Sequence, residues 1–467
     1  PTYLALSRSL YIYIYISSVV VKALVFVYPK LTSNMVSTGS GGGEVTDRRM
    51  STVVPAEVAG ENRMQEVTNM DLAMRLHYLR VVYYFPAGGA AAGLTVPELK
   101  YALFLLLEVY YPACGRIRLS ESGRAVIKCN DSGVRVVEAR CGLTVDQLLP
   151  AGHHRDLAAD NVLGPDVHFS PLVIVQFTRF KCGGLAMGFS WSHLLGDAVS
   201  AANFVRMYAQ ILNGNPPPKP HHHQSPQAVP EDPATKPPGA TVHPLSVKQA
   251  KTLQDRWLPT NELKMGSFSF RVTGTQLKDL QSKASANGRT PFQVISALVW
   301  QRLAKFPGHG GEPTVVTVCK SNASAARGWV VSNQQAVGTV RAESPPSQAP
   351  LSELARLIAE GFVDESRGIE ALVGSGTDGG PHLVVYGANL TFVDLEEIEA
   401  YELEVKGENP VFVNYSMDGV GDEGAVLVFQ GEKAAWGDGG GRTVNVILPE
   451  DQVLHLREEL ERDWGIA

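Results

Sequence analysis

Short, near-continuous apolar runs alternate along this chain with segments whose apolar positions recur every three or four residues. The first pattern predicts strands and the second amphipathic helices. Residues 51–66 read as extended, and Thr68-Asn69-Met70-Asp71 supplies an N-cap that opens a helix through residue 79. Residues 81–84 and 125–128 read as strands, with 96–110 a strong helix between them. Residues 173–180 and 184–189 read as adjacent strands joined by a turn at 181–183, and 200–212 as the helix that follows.

Residues 214–239 break the alternation: nine prolines and His221-His222-His223 fall there, with almost nothing apolar. Such a stretch cannot bury enough surface to fold and is expected to be an exposed crossover. The alternation then resumes, with strands at 267–272, 314–319, 383–386, 401–405, 425–429 and 443–448. Helices are expected at 274–286, 291–305 and 450–463. Gly-rich stretches at 374–380 and 437–441 read as loops, and neither has the strand, glycine turn and Gly-Lys-Ser/Thr context of a phosphate loop. The chain thus divides into an N-terminal domain at 35–213, a proline-rich linker at 214–245 and a C-terminal domain at 246–467. Two α/β halves in series place the working cavity between them.

Residues 10–28 are apolar enough to suggest a membrane span or signal segment. Yet Tyr11-Ile12-Tyr13-Ile14-Tyr15-Ile16 is what an alternating T-A nucleotide repeat encodes, and Met35 followed by Gly and Ser is a better initiator. Residues 1–34 are therefore expected to be a non-native leader, and 35–467 offers no convincing span. With 467 residues, 44% hydrophobic and 19% charged, the chain has ample material for a globular core. Its net charge of −6 carries no footprint for nucleic acid or a polybasic membrane surface. The five cysteines lie far apart without a Cys-x-x-Cys, which favours reduced thiols over a disulfide frame or zinc site. The triple histidine, with no carboxylate or cysteine array beside it, reads as solvated linker, so no metal is expected.

Candidate chemistry concentrates at His193-Leu194-Leu195-Gly196-Asp197. This pentapeptide sits at a strand-to-helix turn, where a neutral imidazole can face a cleft and take a proton from a hydroxyl or amine. Asp197 is spaced to hold the turn rather than to react. No serine or cysteine nucleophile with a partnered base is legible, so a covalent acyl-enzyme is not suggested. The bland alternative is that His193 is a turn residue whose imidazole bonds locally.

The flanks of that turn, 170–184 and Gly188-Phe189-Ser190-Trp191-Ser192-His193, resemble the BAHD acyltransferases of plants. Tyr111-Pro112-Ala113-Cys114-Gly115-Arg116, Cys129-Asn130-Asp131-Ser132-Gly133-Val134 and Ala297-Leu298-Val299-Trp300 fit that family in order. The family's second signature, Asp-Phe-Gly-Trp-Gly, is lost: Tyr401-Glu402-Leu403 runs on into Glu404-Val405-Lys406-Gly407-Glu408-Asn409-Pro410. Residues 54–62, 70–78, 386–393 and Val413-Asn414-Tyr415 followed by Gly419-Val420-Gly421-Asp422 resemble its Eceriferum/Glossy branch.

The resemblance implies two similar mixed-sheet domains of the chloramphenicol-acetyltransferase type, with a channel at their interface and His193 at its middle. It implies acyl-CoA as substrate or ligand, His193 as general base, Asp197 as support of the turn, and Thr391 as an oxyanion donor. It also ties the chain to very-long-chain acyl synthesis for surface wax, through a fatty-acid elongase condensing enzyme (3-ketoacyl-CoA synthase) as partner. The protein alone is expected to be monomeric, and either cytoplasmic or held by that partner at the cytosolic face of the endoplasmic reticulum. Three function classes stay open: an elongase accessory, a free acyltransferase, and a passive acyl-binding protein.

Overall fold

The computed structural model describes residues 12–16, 19–23, 45–57, 60, 63–121, 123–152, 154–160, 170–216, 243–250, 261–284, 288–306, 311–321, 331–375, 381–431 and 440–466. Most of the expected leader, the proline-rich linker with His221, His222 and His223, and parts of both glycine-rich loops lie outside them. Among the described residues no helix is long and apolar enough to cross a membrane.

Two mixed sheets form the frame, as the alternation predicts. The first has six strands in the order Phe412–Asp418, Tyr78–Phe85, Leu185–Ser192, Val173–Phe180, Val134–Cys141, Val45–Val53. All its pairings are antiparallel except that of Val134–Cys141 with Val173–Phe180. The second has seven: Met265–Val272, Arg442–Pro449, Ala425–Gln430, Thr391–Asp394, Val315–Lys320, Ala336–Arg341 and Val363–Asp364. Its centre is parallel, Thr391–Asp394 pairing in that sense with both neighbours.

Helices Val96–Val109 and Ala198–Leu212 pack on one face of the first sheet. Phe204 and Tyr208 set their rings against Trp191, Phe177 and Phe189, burying the apolar stripe that the helical period predicts. In the other half Pro291–Ala304, Leu351–Glu360 and Glu450–Trp464 surround Trp300, Phe392, Leu456 and Leu460. Among the described residues threonine capping boxes open five helices, at Thr68, Thr95, Thr144, Thr273 and Thr290, each satisfying otherwise orphaned N–H groups. All five cysteines are free thiols, and only Cys182 is exposed.

The strand Phe412–Asp418 belongs by sequence to the C-terminal half but completes the N-terminal sheet, beside Tyr78–Phe85. Asp418 fixes it there, pairing with the buried Arg80 and, at 2.6 Å, with Arg155. A buried charge of this kind is tolerated because both carboxylate oxygens are paired. One hydrophobic core runs across the divide, from Leu103 and Phe189 to Tyr386, Leu427 and Phe429.

Two sequence expectations need correction. The helix opened by Thr68 covers only Asn69–Ala73, because Tyr78–Phe85 enters the sheet with all eight residues buried and the chain must turn before it. The strand expected at 401–405 is a single 3-10 turn, Ala400–Glu402, followed by an isolated bridge between Val405 and Glu408. Alternation of buried and exposed side chains there mimics a strand, but among the described residues no neighbouring strand offers the 401–405 backbone a ladder. Strands Ala336–Arg341 and Phe412–Asp418 and helices Leu351–Glu360 and Ser366–Gly374 were not expected from periodicity.

Candidate functional site

His193 follows the strand Leu185–Ser192 and is fully buried. Its backbone N–H donates to the carbonyl oxygen of His77 at 3.0 Å. Its Nδ1 lies 3.4 Å from Asn333 Oδ1, while Nε2 is buried without a hydrogen-bond partner among the described residues. Burial holds the imidazole well below the ordinary histidine range, at about 4, with the Asn333 contact opposing. At neutral pH it is therefore uncharged, the form a general base requires.

Asp197 is the N-cap of Ala198–Leu212. Its Oδ1 accepts from Ser200 N at 3.0 Å and its Oδ2 from Gln334 N at 2.9 Å. The carboxylate thus ties the turn to the 332–334 segment of the other half, whose Ser332 carbonyl accepts from Asp197 N and Ser200 Oγ. Gly196 is needed for that closeness: a Cβ there would lie 2.9 Å from Ser332 N.

Thr391 is buried at the start of its strand. Its Oγ1 accepts from Gly387 N at 3.0 Å and donates to Asn389 O at 2.7 Å, so its one hydrogen is directed at its own turn. The residue that this segment brings to His193 is Tyr386, whose ring centroid is 5.4 Å from that of the imidazole.

Five residues to which pattern reading gave no role, His77, Tyr386, Gln335, Asp71 and Asn333, complete the centre. His77, also fully buried, accepts from Val385 N through Nε2 at 3.1 Å and meets Tyr386 edge-on at 4.8 Å. Burial, and secondarily the neighbouring His193, depress it to about 3. Tyr386 donates to Gln335 Oε1 at 3.1 Å. Asp71, from the Thr68 capping box, accepts both the backbone and the side-chain N–H of Asn333 at 2.9 Å. Asp71 falls in the N-cap at 68–71, and His77 and Tyr386 in the segments 70–78 and 386–393 that resemble the Eceriferum/Glossy branch, but no role followed from either; for Asn333 and Gln335 the polar run Ser332-Asn333-Gln334-Gln335 between Val331 and Ala336 is the available signal.

A cleft of about 600 Å³ lies between the edge strands of the two sheets, lined among others by Phe268, Asn414, Met417 and Asn445, with Arg155 and Arg457 also on its walls. The strand that floors it runs on to Gly419, whose backbone lies against His77. A volume of this order suits a ligand of cofactor size.

The segment that replaces the second signature is held by other means. Asn213 accepts from Lys406 N at 2.5 Å and donates to Glu404 O at 2.9 Å. Glu408 accepts from Ala90 N at 2.7 Å and Ala91 N at 3.1 Å, while Glu404 itself is exposed.

Two mixed-sheet halves enclose a buried histidine at a His-x-x-x-Asp turn, and the chain belongs to the Transferase family, that of the BAHD proteins, whose family model matches residues 43–319. It is 39% identical over 437 residues to Protein ECERIFERUM 2 of Arabidopsis thaliana, covering 90% of this chain and 98% of that one. In fold it is similar to vinorine synthase, with a TM-score of 0.66 at 17% identity, covering 90% of this chain and 98% of that chain. The F. graminearum TRI101 complex with coenzyme A and deoxynivalenol gives a TM-score of 0.66 at 12% identity, covering 86% and 98%.

Proposed function

We propose that this protein assists the condensing enzyme of the fatty-acid elongase, a 3-ketoacyl-CoA synthase, in making the very-long acyl chains of surface wax. The observation that carries the reading is the likeness to ECERIFERUM 2 over nearly the whole length of both chains. The loss of the second BAHD signature at 404–410 supports it, because in the family that motif is a structural element near the channel and its loss weighs against ordinary catalysis. Acyl-CoA is the ligand, in keeping with a structural relative solved with coenzyme A. The protein reaches the endoplasmic reticulum through its partner.

The physical logic is discrimination by length. Each buried methylene contributes about 0.8 kcal/mol, so a two-carbon extension changes binding by about 1.6 kcal/mol, roughly fifteen-fold. An apolar passage docked beside the condensing enzyme holds a lengthening chain beyond that enzyme's own limit.

A second reading, acyl transfer from a coenzyme-A thioester to an alcohol or amine, is favoured by one feature: the unpartnered Nε2 of neutral His193. His193 would deprotonate the acceptor as it attacks the thioester carbonyl, Asp197 would hold the turn, and Thr391 would serve as oxyanion donor only by leaving Asn389. Positioned base catalysis of this kind contributes about 10²–10⁴-fold.

Co-expression with a plant condensing enzyme in yeast, wild type beside His193→Ala, separates the two. Longer acyl chains from both versions support the accessory role without base chemistry. Extension lost only in a folded His193→Ala protein transfers the role to catalysis, and no extension from either sinks the accessory reading.

A further inference from the structure

We infer that Asn333 is a positioning residue for His193, fixing the imidazole in the tautomer whose Nε2 carries the lone pair, and that Asp71 in turn fixes Asn333. The inference deepens the acyl-transfer reading of the same site, and its test does not depend on any transfer being observed.

The deduction is a count of donors and acceptors. Asn333 Nδ2 lies 2.9 Å from Asp71 Oδ1 and 2.6 Å from the carbonyl oxygen of His193. The carbonyl has no hydrogen to give. Asp71 is already accepting, through Oδ2 from Thr68 N at 2.7 Å and through Oδ1 from Asn333 N at 2.9 Å. Only the NH₂ end of the amide satisfies this pair, so Oδ1 must be the end that faces the imidazole. An acceptor oxygen opposite Nδ1 requires Nδ1 to carry the hydrogen, which leaves Nε2 as the bare nitrogen. That nitrogen is the buried atom without a partner.

Free neutral histidine prefers the opposite tautomer, with the hydrogen on Nε2, so the site acts against the intrinsic preference. Asn333 is suited to this because it is itself immobile. It is buried, and its backbone N–H and both side-chain N–H groups are committed. Asp71 is held at the first turn of its helix by the Thr68 capping box. The contacts join residues 262 and 140 positions apart, so the tautomer is set only when the two halves are closed on each other. Pre-organisation of this kind is what a reacting base needs, because no reorientation remains to be made during the proton transfer.

The test is nitrogen-15 NMR of the full chain labelled at the histidine imidazoles, recorded above pH 7, with the His193 signal identified by its loss in His193→Gln. The expected wild-type spectrum shows Nε2 as the unprotonated nitrogen and Nδ1 as the protonated one. Asn333→Leu, which keeps the size and removes the acceptor, is expected to move His193 to the Nε2–H form. A wild-type His193 protonated on Nε2 overturns the inference by itself, even if no variant folds. So does a folded Asn333→Leu protein that keeps the hydrogen on Nδ1. Failure of chain extension in yeast would leave the tautomer unchanged, so this result stands or falls separately from the accessory role.

Discussion

The carbonyl oxygen of His77 accepts the backbone N–H of His193 at 3.0 Å, and the His77 ring accepts the N–H of Val385 at 3.1 Å. One histidine therefore links the His193 turn of the first half to the 383–386 segment of the second. Because Nε2 of His77 is an acceptor, the ring must stay neutral for the link to hold.

That requirement gives the fold an acid limit. Both histidines have folded values below the ordinary 6.5, at about 3 for His77 and about 4 for His193, chiefly through burial. The unfolded chain binds protons first as pH falls, so their contribution is complete above about pH 6.5 and is lost between there and pH 3–4. Each pH unit in that window removes up to about 1.4 kcal/mol per histidine. Urea unfolding at stepped pH is expected to show this slope, reduced in His193→Gln; equal slopes in both proteins would count against it.

Asp197→Ala is expected to destabilise the protein by more than an ordinary lost cap, which costs about 1 kcal/mol. The same carboxylate also holds Gln334 N, and that buried N–H would be left unpaired at a further cost of about 1–3 kcal/mol. Asp197→Asn should recover part of the loss, since one oxygen can still serve Ser200. Denaturant midpoints for the three proteins check the order.

Gly419→Ala should be among the costliest single changes. Gly419 sits at φ +80°, and an added Cβ would lie 2.1 Å from Leu76 O and 3.3 Å from His77 Nδ1. A side chain cannot be accommodated without displacing the backbone under His77. A loss of several kcal/mol is expected, together with a changed His77 imidazole resonance; a stable protein with an unshifted His77 would refute the placement.

Glu408→Ala tests whether the 404–410 segment is pinned as described. The loss of two N–H contacts at Ala90 and Ala91 should cost about 0.5–2 kcal/mol. The effect should be local, seen as faster proteolysis or amide exchange across 404–410 with little change at His193. Glu404→Ala, by contrast, removes an exposed side chain and should be close to neutral.

His193 and Asp197 were legible in the sequence because both lie in one strand-to-helix turn, whose flanks at 170–184 and 188–193 strengthen a pentapeptide that is weak alone. The N-cap at Thr68 was also legible, since its side chain bonds to backbone three residues away, a distance that sequence alone records. The apolar stripes of 96–110 and 200–212 likewise fixed those helices before any partner was known. Tertiary structure decided the rest. Asn333 reaches Asp71 across 262 residues and Val385 reaches His77 across 308, and no local pattern encodes which distant segment will supply the partner of a buried polar group. The same holds for Phe412–Asp418, a strand that periodicity did not reveal and whose place beside Tyr78–Phe85 is held by the pairing of Asp418 with Arg80 and Arg155. Periodicity sets which face of an element turns inward, whereas long-range complementarity of charge and hydrogen bonding sets what that face meets.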